Sequence, residues 1–255
     1  MNTVLITGTT NGLGKLLVEK FAQDGYNLVL VSRSEEKLLK QKEQLKNNNV
    51  HIISYDLSKE DACDYIIDNL NENQIKIDVL VNNVGFDYAD KFIDTPFEEI
   101  DQMMTTMIDL TVKLTYSLLV HMLEQNKGKI VNVSSVAGRI PLPNNVIYSA
   151  CKSFVYMFSN ALDIELKNTN VSVSVICPGP TKTNFANRAN LNNSLLFKFN
   201  TKKPEPVINH AYKKINKGSR NITYGFINNI QIYFYNVLPK KLFDGLIIML
   251  TKISK

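Results

Sequence analysis

The stretch Val4-Leu5-Ile6-Thr7-Gly8-Thr9-Thr10-Asn11-Gly12-Leu13-Gly14-Lys15-Leu16-Leu17-Val18 decides the fold. Val4-Leu5-Ile6 reads as a short buried strand, and Lys15 to Ala22 reads as a helix. Between them, glycines let the backbone bend tightly and approach a ligand, while free N–H groups at the helix start attract an anion. Gly8, Thr10, Asn11, Gly12, Leu13 and Gly14 are therefore candidates to cradle a phosphate. A glycine-rich turn alone is also what any tight bend requires, so the rest of the chain must arbitrate.

Outward from that turn, apolar runs recur with helical patterns between them. Leu28–Val31, Val50–Tyr55, Val79–Val81, Ile130–Val133 and Val171–Ile176 read as strands. Helices are expected over about 35–46, 58–71 with Ser58 as N-cap, 97–125 and 149–167. Short apolar strands alternating with helices predict an α/β fold, a doubly wound parallel sheet of Rossmann-like type with right-handed crossovers. Such sheets bind ligands at the carboxyl ends of their strands, where strand order reverses. The glycine spacing here, Gly-x-x-x-Gly-x-Gly, departs from the Gly-x-Gly-x-x-Gly of the general dinucleotide turn. No internal repeat or long linker interrupts the chain, so one domain is expected over 1–255. Residues 1–183 form its core, and 184–255 form a lid and C-terminal segment, with 184–203 as a mobile lid.

The composition narrows the classes. With 44% apolar and 21% charged residues, the 255-residue chain has material for a full core. A net charge of +5 with scattered basic residues argues against nucleic-acid binding. Cys63, Cys151 and Cys177 are odd in number and lack metal spacing, which predicts reduced thiols, no metal site and an intracellular, cytoplasmic setting. Strand residues from position 3 predict no signal or transit peptide, and no run of 18 apolar residues predicts no membrane span.

The chemistry concentrates downstream. Tyr148-Ser149-Ala150-Cys151-Lys152 sets a phenol and an ammonium four residues apart, one turn along a single helix face. A nearby ammonium is expected to lower the tyrosine pKa and make it a usable acid/base. Ser135 follows a strand 13 residues upstream and should reach the same carboxyl-end crevice, where its hydroxyl can bond a carbonyl oxygen as charge builds on it. Its neighbour Ser134 is expected to turn toward backbone.

In this order, glycine turn, Ser, Tyr and Lys make the chain resemble the short-chain dehydrogenase/reductase family. Asp56-Leu57 after the third strand, Asn82-Asn83-Val84-Gly85 after the fourth, Asn132-Val133-Ser134-Ser135 and Pro178-Gly179-Pro180-Thr181-Lys182-Thr183 match further family segments. Val84 stands where the family usually has Ala. The resemblance is specific over 1–183. It implies a nicotinamide-dependent oxidoreductase interconverting a carbonyl and an alcohol. Tyr148 would be the acid/base, Ser135 would orient the substrate oxygen, and Lys152 would also hold the ribose hydroxyls. Asp56, Leu57, Asn83, Gly85, Pro178, Gly179, Thr181 and Thr183 would contact the cofactor. It also implies a homodimer or homotetramer paired through the helices over 97–125 and 149–167.

At the end of the second strand, where an NAD-preferring relative carries a carboxylate, this chain has Ser32-Arg33. A guanidinium pairs with a 2′-phosphate that a carboxylate would repel, so NADP(H) is expected over NAD(H). Glu35 and Glu36 oppose this slightly.

One family position departs. Aligning Leu114-Thr115-Tyr116 places Met107 where many members hold an Asn that fixes a water near the Lys. Asp109 is about 200° away around a regular helix, while Thr111, one turn along, could hold the water instead. The departure leaves open a non-catalytic NADP(H)-binding redox sensor beside the enzyme. The C-terminal segment, rich in residues such as Ile230, Tyr233, Phe234, Leu242 and Ile248 and flanked by Lys240 and Lys241, fits three descriptions. It can pack as a helix, close over a small apolar carbonyl or alcohol substrate, or contact a membrane surface.

Overall fold

Strand β1 (Thr3–Thr7) becomes the middle of the sheet because both of its faces are apolar. Val4 and Ile6 point one way and Leu5 the other, as the two-residue period of a strand requires, and all three are fully buried. The computed structural model describes residues 1–183 and 201–251. Along the chain, β1 is followed by α1 (Gly12–Gln23), β2 (Asn27–Ser32), α2 (Glu35–Gln44), β3 (Val50–Ser54), α3 (Ala62–Glu72) and β4 (Val79–Asn82). Then come α4 (Phe97–Met104), α5 (Leu110–Glu124), β5 (Gly128–Val133), α6 (Val146–Glu165) and β6 (Val171–Ile176). After the undescribed stretch lie α7 (Pro204–Asn216), β7 (Asn221–Ile222), α8 (Phe226–Val237) and α9 (Lys240–Thr251).

The seven strands pair in parallel in the order β3-β2-β1-β4-β5-β6-β7. Strand order reverses between β1 and β4, which opens a crevice at their carboxyl ends. On one face, Val4 and Ile6 pack with Leu17 and Phe21 of α1 and Ile208 and Ile215 of α7. On the other, Leu5, Leu80 and Ile130 pack with Ile66 of α3 and Leu110 and Leu114 of α5. Each such side chain contributes about 1.5–3 kcal/mol by leaving water, which holds helices on both faces of the sheet.

Three local features differ from expectation. Ser58 does not cap a helix: its N–H and Oγ donate to Asp56 Oδ1 at 3.1 and 2.9 Å, closing a turn, and α3 starts at Ala62 with Asp61 in the cap position. The helix over 97–125 is continuous but carries a π-helical turn at Thr105–Asp109. An extra residue in one turn rotates α4 about the helix axis relative to α5. Strand β7, only two residues long, was too short for any periodicity to reveal. The predicted mobile lid falls mostly on 184–200, outside the described residues. Its far end is tied down, since Lys182 N donates to Lys202 O and Lys202 N to Pro180 O, both at 2.9 Å.

The C-terminal segment forms two amphipathic helices. Ile232, Phe243 and Ile247 pack on Val136 and Ile140 beside the crevice, while Tyr233, Val237, Leu242 and Met249 face outward. Among the described residues, no helix is long and apolar enough to cross a membrane.

Candidate active site

The glycine turn is shaped from two sides. Gly8 has φ +71°, a conformation that L side chains rarely adopt. A Cβ on Gly14 would lie 2.2 Å from Gly8 O and 2.4 Å from Asn83 Nδ2, so only glycine fits. Asn83 braces the bend: its Nδ2 donates to Thr7 O at 2.9 Å and Gly8 O at 3.0 Å. Thr7 Oγ1 in turn accepts from the N–H groups of Asn83 and Val84 at 3.0 and 3.1 Å. The Asn11 side chain makes no cap hydrogen bond to α1, which leaves the first N–H groups of that helix facing the crevice for an anion.

From the turn the crevice runs in two directions, with a volume of about 600 Å³. Toward β2 and β3 it is walled by Ser32, Arg33, Asp56 and Leu57. Thr10 Oγ1 and Ser32 Oγ lie 3.2 Å apart, and Arg33 is exposed at the rim. Burial pushes the Asp56 carboxyl up, but the hydrogen bonds from Ser58 and the Arg33 charge outweigh it and hold the group below its ordinary value. Lys37, one turn into α2, also lines this end and was missed in the sequence because it looked like one charge among many on a solvated helix.

In the other direction lie Ser135, Tyr148 and Lys152. Ser135 Oγ accepts from Ala137 N–H at 3.1 Å, and its hydroxyl also hydrogen-bonds the Tyr148 phenol. Lys152, 4% exposed, donates from Nζ to Val133 O at 2.9 Å and sits 5.8 Å from the Tyr148 ring centroid. Ser134 Oγ donates to Lys152 O at 2.6 Å and so does turn toward backbone. Gly85 passes under the ammonium, where a Cβ would lie 3.0 Å from Nζ. Pro178, Gly179, Thr181 and Thr183 close the far wall, and Gly179 is pressed so tightly by Asn228 that a Cβ would meet it at 2.3 Å. Every residue given a catalytic or cofactor-binding role in the sequence thus lines one crevice.

The electrostatics correct one expectation. The ammonium does not lower the Tyr148 pKa here: burial raises it, the Asp87 charge raises it further, and the Ser135 hydrogen bond only partly opposes them. Burial also pulls Lys152 down to about 8. The phenol therefore stays protonated at neutral pH, the form that donates.

Thr111 also differs from expectation. It is buried within α5 and does not line the crevice, whereas Thr106, inside the π turn, does. The 3.6-residue period used on the sequence fails across that turn. Met107 is buried against Gly85, with Sδ 3.3 Å from where a Cβ would be.

Asp87 and Asn145, which no motif signalled, sit at the same end. Asn145 Nδ2 donates to Asp87 Oδ2. Burial pushes the Asp87 carboxyl up to about 7, against the hydrogen bond from Asn145, the nearby Tyr88 N–H and the Lys152 charge. With a folded pKa above the ordinary 3.8, the folded state binds more protons between those values. Its contribution to stability is then full below about pH 4 and is lost as pH rises to about 7. Melting curves across this range should show that decline flattened in Asp87→Asn; an unchanged slope would remove Asp87 as its source.

The arrangement suits an elongated dinucleotide: cations at one end, helix amides in the middle, a protonated phenol and a buried ammonium at the other. The family model for short chain dehydrogenase matches residues 2–194. The very-long-chain 3-oxoacyl-CoA reductase of Homo sapiens is 32% identical over 247 residues, covering 91% of this chain and 76% of that protein. The 17-beta-hydroxysteroid dehydrogenase type 3 of Mus musculus is 31% identical over 245 residues, covering 94% and 77%. Among solved structures, a short-chain dehydrogenase from Sphingobium yanoikuyae in complex with NADPH superposes with a TM-score of 0.81 at 24% identity, covering 96% of this chain and 92% of that one. A member from Burkholderia phymatum in complex with NAD gives 0.82 at 20% identity, covering 100% and 96%. The chain belongs to the short-chain dehydrogenase family and is an oxidoreductase acting between CH–OH and C=O.

Proposed function

We propose that this protein is an NADP(H)-dependent reductase of a carbonyl on a largely apolar, lipid-, steroid- or ketone-like substrate, working as one catalytic domain with Tyr148 as acid/base. The observation that carries this is the hydrogen bond between Ser135 and Tyr148 with the buried Lys152 ammonium 5.8 Å from the Tyr148 ring centroid. When bound, the nicotinamide supplies the hydride to the carbonyl carbon or takes it back from the alcohol. In this reading Ser135 Oγ donates to the substrate oxygen, and the Tyr148 phenol gives that oxygen a proton. Lys152 opposes charge left on the phenol and offers donors to ribose hydroxyls. The same contact favours the enzyme over a redox sensor. The test is NADPH oxidation by the unmodified protein with a panel of ketones and aldehydes, absent in Tyr148→Phe.

The preference for NADP(H) over NAD(H) is supported by Arg33 and by Lys37 beside it on the crevice wall. Arg33→Ala is expected to weaken NADPH by roughly 1.5–3 kcal/mol and NADH much less, since one charge-assisted contact is lost. Titration of both cofactors checks this; equal losses, or a wild-type preference for NADH, would overturn it.

The substrate class draws support from the two relatives' names and from the apolar walls at Phe86, Ile140 and Leu142. Pairing between copies is supported by outward apolar side chains on the helices the family uses: Tyr116, Val120 and Leu123 on α5, and Phe154, Met157 and Ile164 on α6. Three free, buried cysteines support an intracellular, cytoplasmic setting. The outward face of α8 and α9 leaves peripheral membrane contact as part of the proposal.

A further inference from the structure

Three consecutive residues at the carboxyl end of β5 and just after it each tie down α6 by a hydrogen bond. Asn132 Nδ2 donates to Ser159 Oγ at 2.9 Å. Val133 O accepts from Lys152 Nζ at 2.9 Å, and Ser134 Oγ donates to Lys152 O at 2.6 Å. Ser159 Oγ donates in turn to Val155 O at 2.6 Å. A helical serine often bonds back to the carbonyl four residues before it, but the bond from Asn132 comes from another element. Tyr148, Lys152, Val155 and Ser159 follow one another at helical spacing, so the phenol, the ammonium and both tied carbonyls lie along one side of α6. The anchoring amide is itself fixed. Asn132 Oδ1 accepts from Asn82 Nδ2 at 2.9 Å, and Asn82 Nδ2 also donates to Thr115 Oγ1 of α5 at 3.2 Å. Asn82, Thr115, Asn132 and Ser159 are all buried. On β4 and β5 an apolar residue, Leu80 or Ile130, precedes the amide on the same face, so that face turns polar only at its carboxyl end.

We infer that Asn132, Ser159 and Ser134 form a clamp that sets the height of α6 along β5, and that through it they act as positioning residues for Lys152. This rests on the role proposed above for Lys152 toward Tyr148 and the cofactor ribose. Apolar packing holds a helix on a sheet without fixing how far along it lies, because burial has no direction. A hydrogen bond does fix it, since it weakens steeply once its atoms are misaligned. Lys152 O is also pressed from the turn after β5, where a Cβ on Gly138 would come within 2.4 Å of it and 2.7 Å of Ser134 Oγ. Movement of α6 toward that turn is blocked by contact, and movement away is opposed by the bonds from Asn132 and Ser134. Misplacing reacting groups by about 1 Å costs about a hundredfold in rate, so a clamp that never touches substrate has leverage on turnover.

The test removes each hydroxyl and reads Lys152 in two ways: a fluorescence titration of NADPH, and turnover of the best carbonyl in the ketone and aldehyde panel. Ser159→Ala and Ser134→Ala are each expected to weaken NADPH at least about threefold and lower kcat at least about tenfold, with KM for the carbonyl changed less than about threefold. In a Lys152→Ala background, Ser159→Ala should weaken NADPH no further, because residues that act through one group are not additive. Ser174→Ala is the control for lost stability, since that hydroxyl is also buried and donates to Ser219 O at 2.9 Å. It should lower the melting temperature as Ser159→Ala does, yet leave kcat and NADPH affinity within about twofold. Ser134→Ala serves if Ser159→Ala does not fold, because the Asn132–Ser159 pair is then intact. A lower melting temperature with unchanged kcat and NADPH affinity in both serine variants overturns the inference. So does an equal loss of NADPH affinity from Ser159→Ala with and without Lys152. If Lys152→Ala alone changes neither turnover nor NADPH affinity, the role proposed for Lys152 fails and the inference falls with it. If Lys152→Ala damages both and the two serine variants damage neither, the clamp fails and that role stands.

Discussion

Replacing Tyr148 with Phe is expected to lower turnover by at least about 10²–10⁴-fold while changing NADPH affinity by less than about 1 kcal/mol. The ring stays, so the wall of the crevice and the packing against Met103, Met107 and Cys151 are preserved. Only the phenolic hydroxyl disappears, and with it the oxygen that accepts from Ser135. Under the proposed role, losing the hydroxyl removes the group that gives the substrate oxygen its proton. Ser135 remains and still donates, which sets a small residual rate. Steady-state kinetics with any accepted carbonyl, paired with a fluorescence titration of NADPH, separates the two effects. More than a few per cent of wild-type turnover would remove Tyr148 from the role.

Gly14→Ala is expected to be almost as damaging, for a reason of shape and not of chemistry. The new methyl would lie 2.2 Å from a backbone carbonyl and 2.4 Å from the Asn83 amide that holds the turn. Neither is the free end of a flexible side chain, so the bend itself must open. Overpacking of this kind costs typically about 1–3 kcal/mol, and here the displaced backbone is also the anion cradle. NADPH affinity should fall at least about tenfold, and the melting temperature should fall with it. Gly245→Ala is the control. Gly245 lies within α9 with nothing within 4 Å of its added Cβ, so the same methyl should stabilise by up to about 1 kcal/mol. Equal effects at the two glycines would show that crowding at Gly14 is not what the turn depends on.

Much of this molecule was legible in its sequence because local rules and tertiary outcome agree. Val4-Leu5-Ile6 had to be buried on both sides, and it is the central strand. Tyr148 and Lys152 share a helix face by spacing alone, and Ser135 follows β5 at the carboxyl edge of the sheet. The failures have physical causes. The π turn at Thr105–Asp109 breaks the period from which Thr111 was placed. Ser58 bonds Asp56 in preference to a helix end. Two-residue β7 has no pattern to read and exists because Val175 and Ile176 present an open edge. Lys37 was hidden on a charged helix until the turn between β2 and α2 aimed it at the crevice.

By itself, then, the sequence determined the doubly wound sheet, the crevice at its carboxyl edge and the identity of the groups along it. The sheet and its crevice come from periodicity and turn chemistry, the Tyr148–Lys152 pair from spacing on one helix, and the remaining crevice residues from the resemblance to the family's segments. Only the tertiary structure decided the direction in which the Tyr148 pKa moves, upward, because burial and the Asp87 charge raise it and burial is a property of the packed whole. It alone brought Asp87 and Thr106 to the crevice wall, and joined Asp87 to Asn145 across 58 residues. Contacts between elements so far apart leave no local trace, since neither side chain is special until the other elements close around it.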